Sequence, residues 1–168
     1  MKIPIYQVDA FTSEVFLGNP TGVYILDSWI DDNMLQSTIA ENDLSGTAFL
    51  IRNDNGFDHR WFTPTTEVAL CGHATLTSVF VLLACQDWPE EEIRFYTRKS
   101  GQLVVGKHNT LLEMDFPSRP IHSRIPPSGL NETLGVTPVA ILGFRRRFTC
   151  GTGEREGHSG TSTRFFCT

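Results

Sequence analysis

The chain has little of what marks specialised protein classes. Its apolar run Val79 to Cys85 falls far short of the roughly 20 residues that cross a bilayer, so no membrane partner is expected. Basic residues are the minority: 14 Lys and Arg against 19 Asp and Glu give a formal charge of −5 and a pI near 5.5. Such a balance offers no overall basic face, and no nucleic-acid partner is expected. The four cysteines (Cys71, Cys85, Cys150, Cys167) match no zinc spacing. The five histidines are scattered without paired ligand spacing, so no metal is anticipated. Met1-Lys2 leads straight into a strand-like run rather than a signal peptide. A cytoplasmic location with reduced thiols is the corresponding expectation. There is no internal repeat and no low-complexity tract. At 40% hydrophobic and 20% charged, 168 residues suit a globular protein with one core or two small lobes.

One absence is local. Phe144 to Thr168 contains no Ala, Val, Ile, Leu or Met, yet holds five of the chain's eleven arginines. No period of 2 or 3.6 runs through it, so it reads as unable to bury enough apolar surface to order itself. An aberrant or disordered tail is the expectation, such as a stretch translated in a shifted frame. A basic arm for an anionic partner is the functional alternative. The proline-rich SRPIHSRIPPSG before it reads as a boundary. The chain is therefore divided into a complete lobe at 1–117, a linker and the start of a second lobe at 118–143, and the tail at 144–168.

Within the first lobe, Ile3 to Phe11 reads as a buried strand and Ser13 to Thr21 as a loop punctuated by Gly18-Asn19-Pro20. Gly22 to Leu26 reads as a strand. Asp31 or Asp32 caps a helix to about Glu41, with Met34, Leu35 and Ile39 inward. Strands follow at Thr47 to Arg52 and His59 to Phe62, then a helix from Gly72 to about Gln86. That helix is apolar on nearly every side, the pattern of one wrapped by other elements. Glu92 to Thr97, Gln102 to Lys107 and Leu111 to Phe116 read as further strands. Beyond the boundary, Leu130 to Val136 fits one or two helical turns and Val139 to Leu142 a strand. Six to eight short strands around one helix, with a second helix outside, make an α+β lobe.

Chemistry concentrates where RWFTPTTEVALCGHATL turns from strand to helix. Gly72 and His73 open the helix, so their N–H groups have no intrahelical partners and the helix dipole favours an anion there. His73 adds a titratable group, and Cys71 just before it has the position that lowers a thiol pKa. Glu41, among Ile39, Ala40 and Leu44, is a candidate general acid or base on a patch (Ala40 to Ser45) that reads as facing the hinge. Each has an ordinary alternative: a histidine capping its own helix, a cysteine acting as a small buried hydrophobe, a solvated glutamate at a helix end. Asp9 is read as bonding loop N–H groups, and Glu67 as fixing the turn into Cys71.

Taken in order, VDAFT, GNPTGV, IAENDLSGTAFLI and RWFTPTTEVALCGHATL resemble the PhzF-like proteins of phenazine biosynthesis. Their fold is shared with diaminopimelate epimerase and proline racemase. The resemblance covers about Met1 to Pro117. It implies two similar lobes, each a strand barrel around a central helix, with the active site between them and the second lobe truncated here. It implies a cofactor-free, metal-free isomerase moving a proton on a small carboxylic acid. Glu41 would be the acid/base, His73 its helper, and Gly72 and His73, with Ser45 and Asn19, the substrate contacts. In the racemase and epimerase relatives the residue before this glycine is a catalytic cysteine, matched here by Cys71, so half of a two-cysteine racemase stays open. The family's SETAF reads SGTAF here, with Gly46 in place of a carboxylate. With half of the site missing, weak activity is expected. A non-catalytic role through protein association, including a homodimer, is the alternative.

Overall fold

The computed structural model describes residues 2–14, 16–108, 111–117, 122–123, 125, 127–138, 140–144, 147–151 and 162–167. The chain forms two compact units, Met1–Phe116 with Arg164–Thr168, and Pro117–Thr163. In the first unit the elements run β1 (Ile5–Ala10), β2 (Asn19–Leu26), α1 (Asp32–Asn42), β3 (Gly46–Asn53), β4 (Gly56–Phe62), β5 (Glu67–Val68), α2 (Gly72–Cys85), β6 (Glu92–Thr97), β7 (Gly101–His108) and β8 (Leu111–Pro117). The second unit holds β9 (His122–Ser123), α3 (Leu130–Leu134), β10 (Ala140–Phe144) and β11 (Arg147–Gly151). The last strand, β12 (Ser162–Cys167), ends the larger sheet.

That sheet is ordered β1-β2-β3-β4-β6-β7-β8-β12, with β5 branching from β4. Among the described pairings, β2 with β3 and β4 with β6 are parallel. A parallel step needs a crossover, and helices supply both: α1 lies between β2 and β3 in the chain, α2 between β4 and β6. The two steps progress the same way across the sheet, but β3 and β4 are antiparallel, so the two pairs point in opposite directions. Right-handed crossovers then place α1 and α2 on opposite faces. The pleat agrees. Val23, Ala48, Leu50 and Trp61 form one core with Ala74, Leu76, Val79, Val81 and Leu82 of α2. The alternate residues Tyr24, Leu26, Phe49 and Phe62 form another with Leu35 and Ile39 of α1.

Several expectations are corrected. β1 is half exposed rather than buried, because it ends the sheet and is paired only through β2. Asn19 and Pro20 are not loop but the start of β2, opposite Ala10 and Asp9. Met34 is 58% exposed, since it falls off the stripe that carries Leu35 and Ile39 inward. Helix α2 is not covered all round: Phe80 is 50% exposed and Ala84 lies beside it in water. Asp31, of the two candidates, caps α1, its carboxylate accepting from the Asn33 N–H at 2.9 Å.

In the second unit, β10 pairs antiparallel with β11 and β9. Helix α3 is a short turn between Gly129 and Gly135, both at positive φ, with no buried residue. Val139, the expected start of the last strand, lies outside the described residues. Most of the stretch expected to lack order also lies outside them. What is described there, Phe144, Arg147–Gly151 and Ser162–Cys167, has strand backbone. Ladder pairing satisfies backbone N–H and C=O groups whatever the side-chain period, which is why the sequence showed no sign of it.

Candidate functional site

The approach to α2 is held along its length. Gln36 Nε2 donates to the carbonyls of Thr63 and Pro64, both at 2.9 Å. The Arg60 guanidinium forks onto both Glu67 oxygens at 2.9 Å and reaches Asp32 at 2.7 Å. It also lies over the Trp29 and Phe62 rings. Its pKa is held above the usual value by these carboxylates, and they in turn are held below theirs, by the hydrogen bonds first. Ser100 Oγ donates to the Ala69 carbonyl at 2.7 Å. Glu67, expected to fix the turn that leads to Cys71, is thus tied to Arg60.

Cys71 is the extended N-cap of α2 (φ −142°, ψ 102°). Its carbonyl accepts from the Thr75 N–H at 3.1 Å and from Thr75 Oγ1 at 2.8 Å. Thr77 Oγ1 and Ser78 Oγ donate in the same way to the carbonyls of His73 and Ala74. These back-bonds satisfy buried hydroxyls without using the N–H groups of the first turn, which remain directed out of the helix start.

Cys71 Sγ stands 3.6 Å from His73 Nδ1 and 3.9 Å from Nε2, within hydrogen-bond reach of the ring. Burial pushes the Cys71 thiol up, and the Ala74 N–H offsets this only in part. That reverses the sequence expectation of a lowered thiol pKa: desolvation outweighs the helix terminus. Burial also lowers the His73 pKa. Near neutral pH the pair is therefore a thiol beside a neutral imidazole. Such a pair can pass a proton but carries no standing charge.

Gly46, at the start of β3, faces this pair. A Cβ built there would be 2.8 Å from His73 Nε2 and 3.6 Å from Cys71 Sγ. Next to it, Ser45 Oγ donates to Asn19 Oδ1 at 2.6 Å, with the Pro20 carbonyl at 3.1 Å. The structure thus brings Cys71 and His73 together at Gly46, and Ser45 to Asn19 one residue away. It does not bring Glu41 to them. Glu41 is exposed near the end of α1, where its charge acts on the Tyr24 hydroxyl that receives Asn42 Nδ2 at 2.6 Å. Tyr24 belongs to the α1 face of the sheet and His73 to the helix on the other, so the patch that reads as facing the hinge is turned away from it at Glu41. Sequence reasoning missed Gly46 as the residue under His73. Its signal was the departure from SETAF.

A cavity of about 390 Å³ lies away from this hinge. It runs beside α2 one turn further on, between Val8 to Thr12, Leu76, Phe80 and Leu112, and is mostly apolar. Asp9 stands at its rim and accepts from the Phe16 N–H at 3.0 Å, the loop contact expected of it. No group of acidic, His and Cys side chains able to hold a metal occurs among the described residues. No helix among them is long and apolar enough to cross a membrane.

A mixed sheet with one helix on each face is a fold with known counterparts. A predicted epimerase of Pseudomonas aeruginosa shares the fold, with a TM-score of 0.60 at 20% identity over 84% of this chain and 56% of that one. The sequence pattern of the phenazine biosynthesis-like proteins, PhzC-PhzF, matches residues 8–126, and the chain belongs to that family. An uncharacterized isomerase of Pseudomonas aeruginosa is 45% identical over 142 residues, 84% of this chain and 54% of that protein. The crystal structure of a PhzF-family phenazine biosynthesis protein of Enterococcus faecalis matches with a TM-score of 0.76 at 38% identity, over 84% of this chain and 54% of that one. The chain spans about half the length of these relatives.

Proposed function

We propose that this chain provides one wall of a cofactor-free isomerase site that moves a proton on a small carboxylic acid. The observation that carries the reading is the Cys71–His73 pair at the open start of α2. The Gly72 and His73 N–H groups would hold the substrate carboxylate. A helix start of this kind contributes about 0.3–2 kcal/mol. His73 and Cys71 would relay the proton, and Ser45 and Asn19 would border the substrate. Glu41, given its place on the α1 face, is assigned no part in the transfer. General acid–base catalysis supplies about 10²–10⁴-fold when the substrate is enclosed. The lobe reading, strands wrapped around α2 as a central helix, is supported by the core that α2 shares with Val23, Leu50, Trp61, Phe95 and Met114.

Enclosure would take the stretch of the relatives that this chain does not span, so the 168 residues alone are expected to turn over slowly. The test is solvent-deuterium exchange followed by NMR, on a panel of amino acids and unsaturated cyclic carboxylic acids in D₂O. Slow exchange that disappears in His73→Gln supports the reading. Turnover matching that of the Enterococcus faecalis relative would refute the single-wall account. The two-cysteine racemase reading shares Cys71 but not the dependence on His73. Exchange that is lost in Cys71→Ser and kept in His73→Gln would favour it.

A second reading, association without catalysis, is favoured by the apolar cavity beside α2 and by the exposure of Phe11 and Phe80 on its rim. Apolar surface of this kind attracts a partner. A concentration-dependent dimer in size-exclusion chromatography, abolished by Phe80→Ser, supports it. A stable monomer at all concentrations removes it.

A further inference from the structure

The geometry points to Gly46 as the positioning residue of the hinge: its missing side chain leaves the seat that the His73 imidazole fills, and that seat holds the ring against Cys71. Four observations converge. A Cβ at 46 would stand 2.8 Å from His73 Nε2 and 3.3 Å from Cε1, so the end of the ring would have to shift to admit a side chain there. The same Cβ would be 3.6 Å from Cys71 Sγ, so the seat borders both members of the pair. Gly46 has no room to withdraw. It is buried, paired with Thr21 of β2, and followed by the buried β3 residues Thr47 to Leu50. From below, the helix fixes the backbone of His73, whose carbonyl takes Thr77 Oγ1 at 2.9 Å. The flexible element is the His73 ring, which any side chain at 46 displaces.

The glycine therefore sets which chemistry the hinge performs. With Gly46 the imidazole meets a thiol, and a proton passes between sulfur and nitrogen with no net charge created beforehand. A side chain at 46 would place its own group at His73 and move the ring from the sulfur. No other ionisable side chain is placed against the pair by the described contacts, and Glu41 lies on the other face of the sheet. The catalytic meaning of this seat rests on the proposed proton-transfer role. The seat itself is read without substrate, so failure of one is distinguishable from failure of the other.

The experiment uses the 168-residue chain with Cys85, Cys150 and Cys167 replaced by Ser, leaving Cys71 as the single thiol. Iodoacetamide modification of Cys71 is followed against pH, and the His73 ring is titrated by ¹⁵N NMR. With Gly46 present, the modification profile is expected to carry a step at the His73 titration, and the ring to titrate below the ordinary value near 6.5. Gly46→Ala is expected to remove that step and return the ring toward 6.5. Gly46→Glu is expected to carry it above 6.5, through the new carboxylate. Unchanged profiles and ring titration in both variants overturn the proposal. If Gly46→Ala fails to fold, Gly46→Ala/His73→Ala, in which the ring is gone, is expected to recover folding. A double variant no more folded than the single one also overturns it.

Discussion

His59 should make this protein measurably acid-sensitive. It is buried in β4 between the Trp61 and Phe95 rings, 4.4 and 4.6 Å away between centroids. Ser78 gives its one proton to the Ala74 carbonyl at 2.8 Å, so its oxygen is left to accept from His59 Nε2 at 3.3 Å. The other nitrogen, Nδ1, has no partner among the described residues. Burial pushes the His59 pKa down to about 3, whereas an unfolded histidine titrates near 6.5. Between these values the unfolded chain binds a proton that the folded chain refuses. Stability is therefore unaffected by His59 above pH 6.5 and falls as pH drops through the window toward 3. At about 1.4 kcal/mol per pH unit, the loss from pH 7.5 to 4.5 is about 2.7 kcal/mol, a large part of a typical domain's stability. Urea unfolding followed by tryptophan fluorescence at the two pH values measures it, with His59→Gln as control. The carboxylates paired with Arg60 also lose stability on acidification, but they do so in both proteins. The native chain should lose about 2.7 kcal/mol more than the variant. Equal losses would refute the reasoning.

Three further outcomes follow from the packing. Leu35→Ala should cost about 2–5 kcal/mol in urea unfolding, while Met34→Ala, one residue earlier, should stay within about 0.5 kcal/mol. Arg60→Met should destabilise by roughly 2 kcal/mol, less than the 3–5 of a fully buried pair, because the Asp32 side chain is 61% exposed and that of Glu67 is 20%. Hydrogen exchange at Leu70 to Gly72 should quicken in that variant, since the fork on Glu67 holds the turn. Gly56→Ala should severely impair folding, seen as loss of amide dispersion: φ is +146° there and a Cβ would run into the Arg94 carbonyl.

Much of this architecture was legible because its cause is local. The cap at Asp31 or Asp32 and the helix from Gly72 follow from capping chemistry and apolar pattern. The misplacements have longer-range causes. Asn19 and Pro20 carry turn residues, yet pairing with β1 makes them strand. Met34 and Leu35 are equally apolar, and only the position of the sheet decides which is inward. Phe80 reads as core because composition cannot reveal a helix side that no strand covers. Cys71 reads as a lowered thiol because the helix start is visible in the sequence, whereas its desolvation depends on Gly46 and His73 folding over it. Glu41 reads as facing the hinge because it stands five residues before Gly46. The antiparallel step between β3 and β4, which sends α1 and α2 to opposite faces, is a property of the whole sheet.

The most direct test of the hinge as the substrate wall is amide mapping with a small carboxylate. Titration of the ¹⁵N-labelled chain with benzoate, followed by heteronuclear correlation spectra, reports which N–H groups the anion approaches. Shifts centred on Gly72 and His73 and extending to Ser45 and Gly46, unchanged in Glu41→Gln, are the predicted result. Shifts centred on Glu41, Asn42 and Tyr24, with Gly72 and His73 unmoved, would contradict the account.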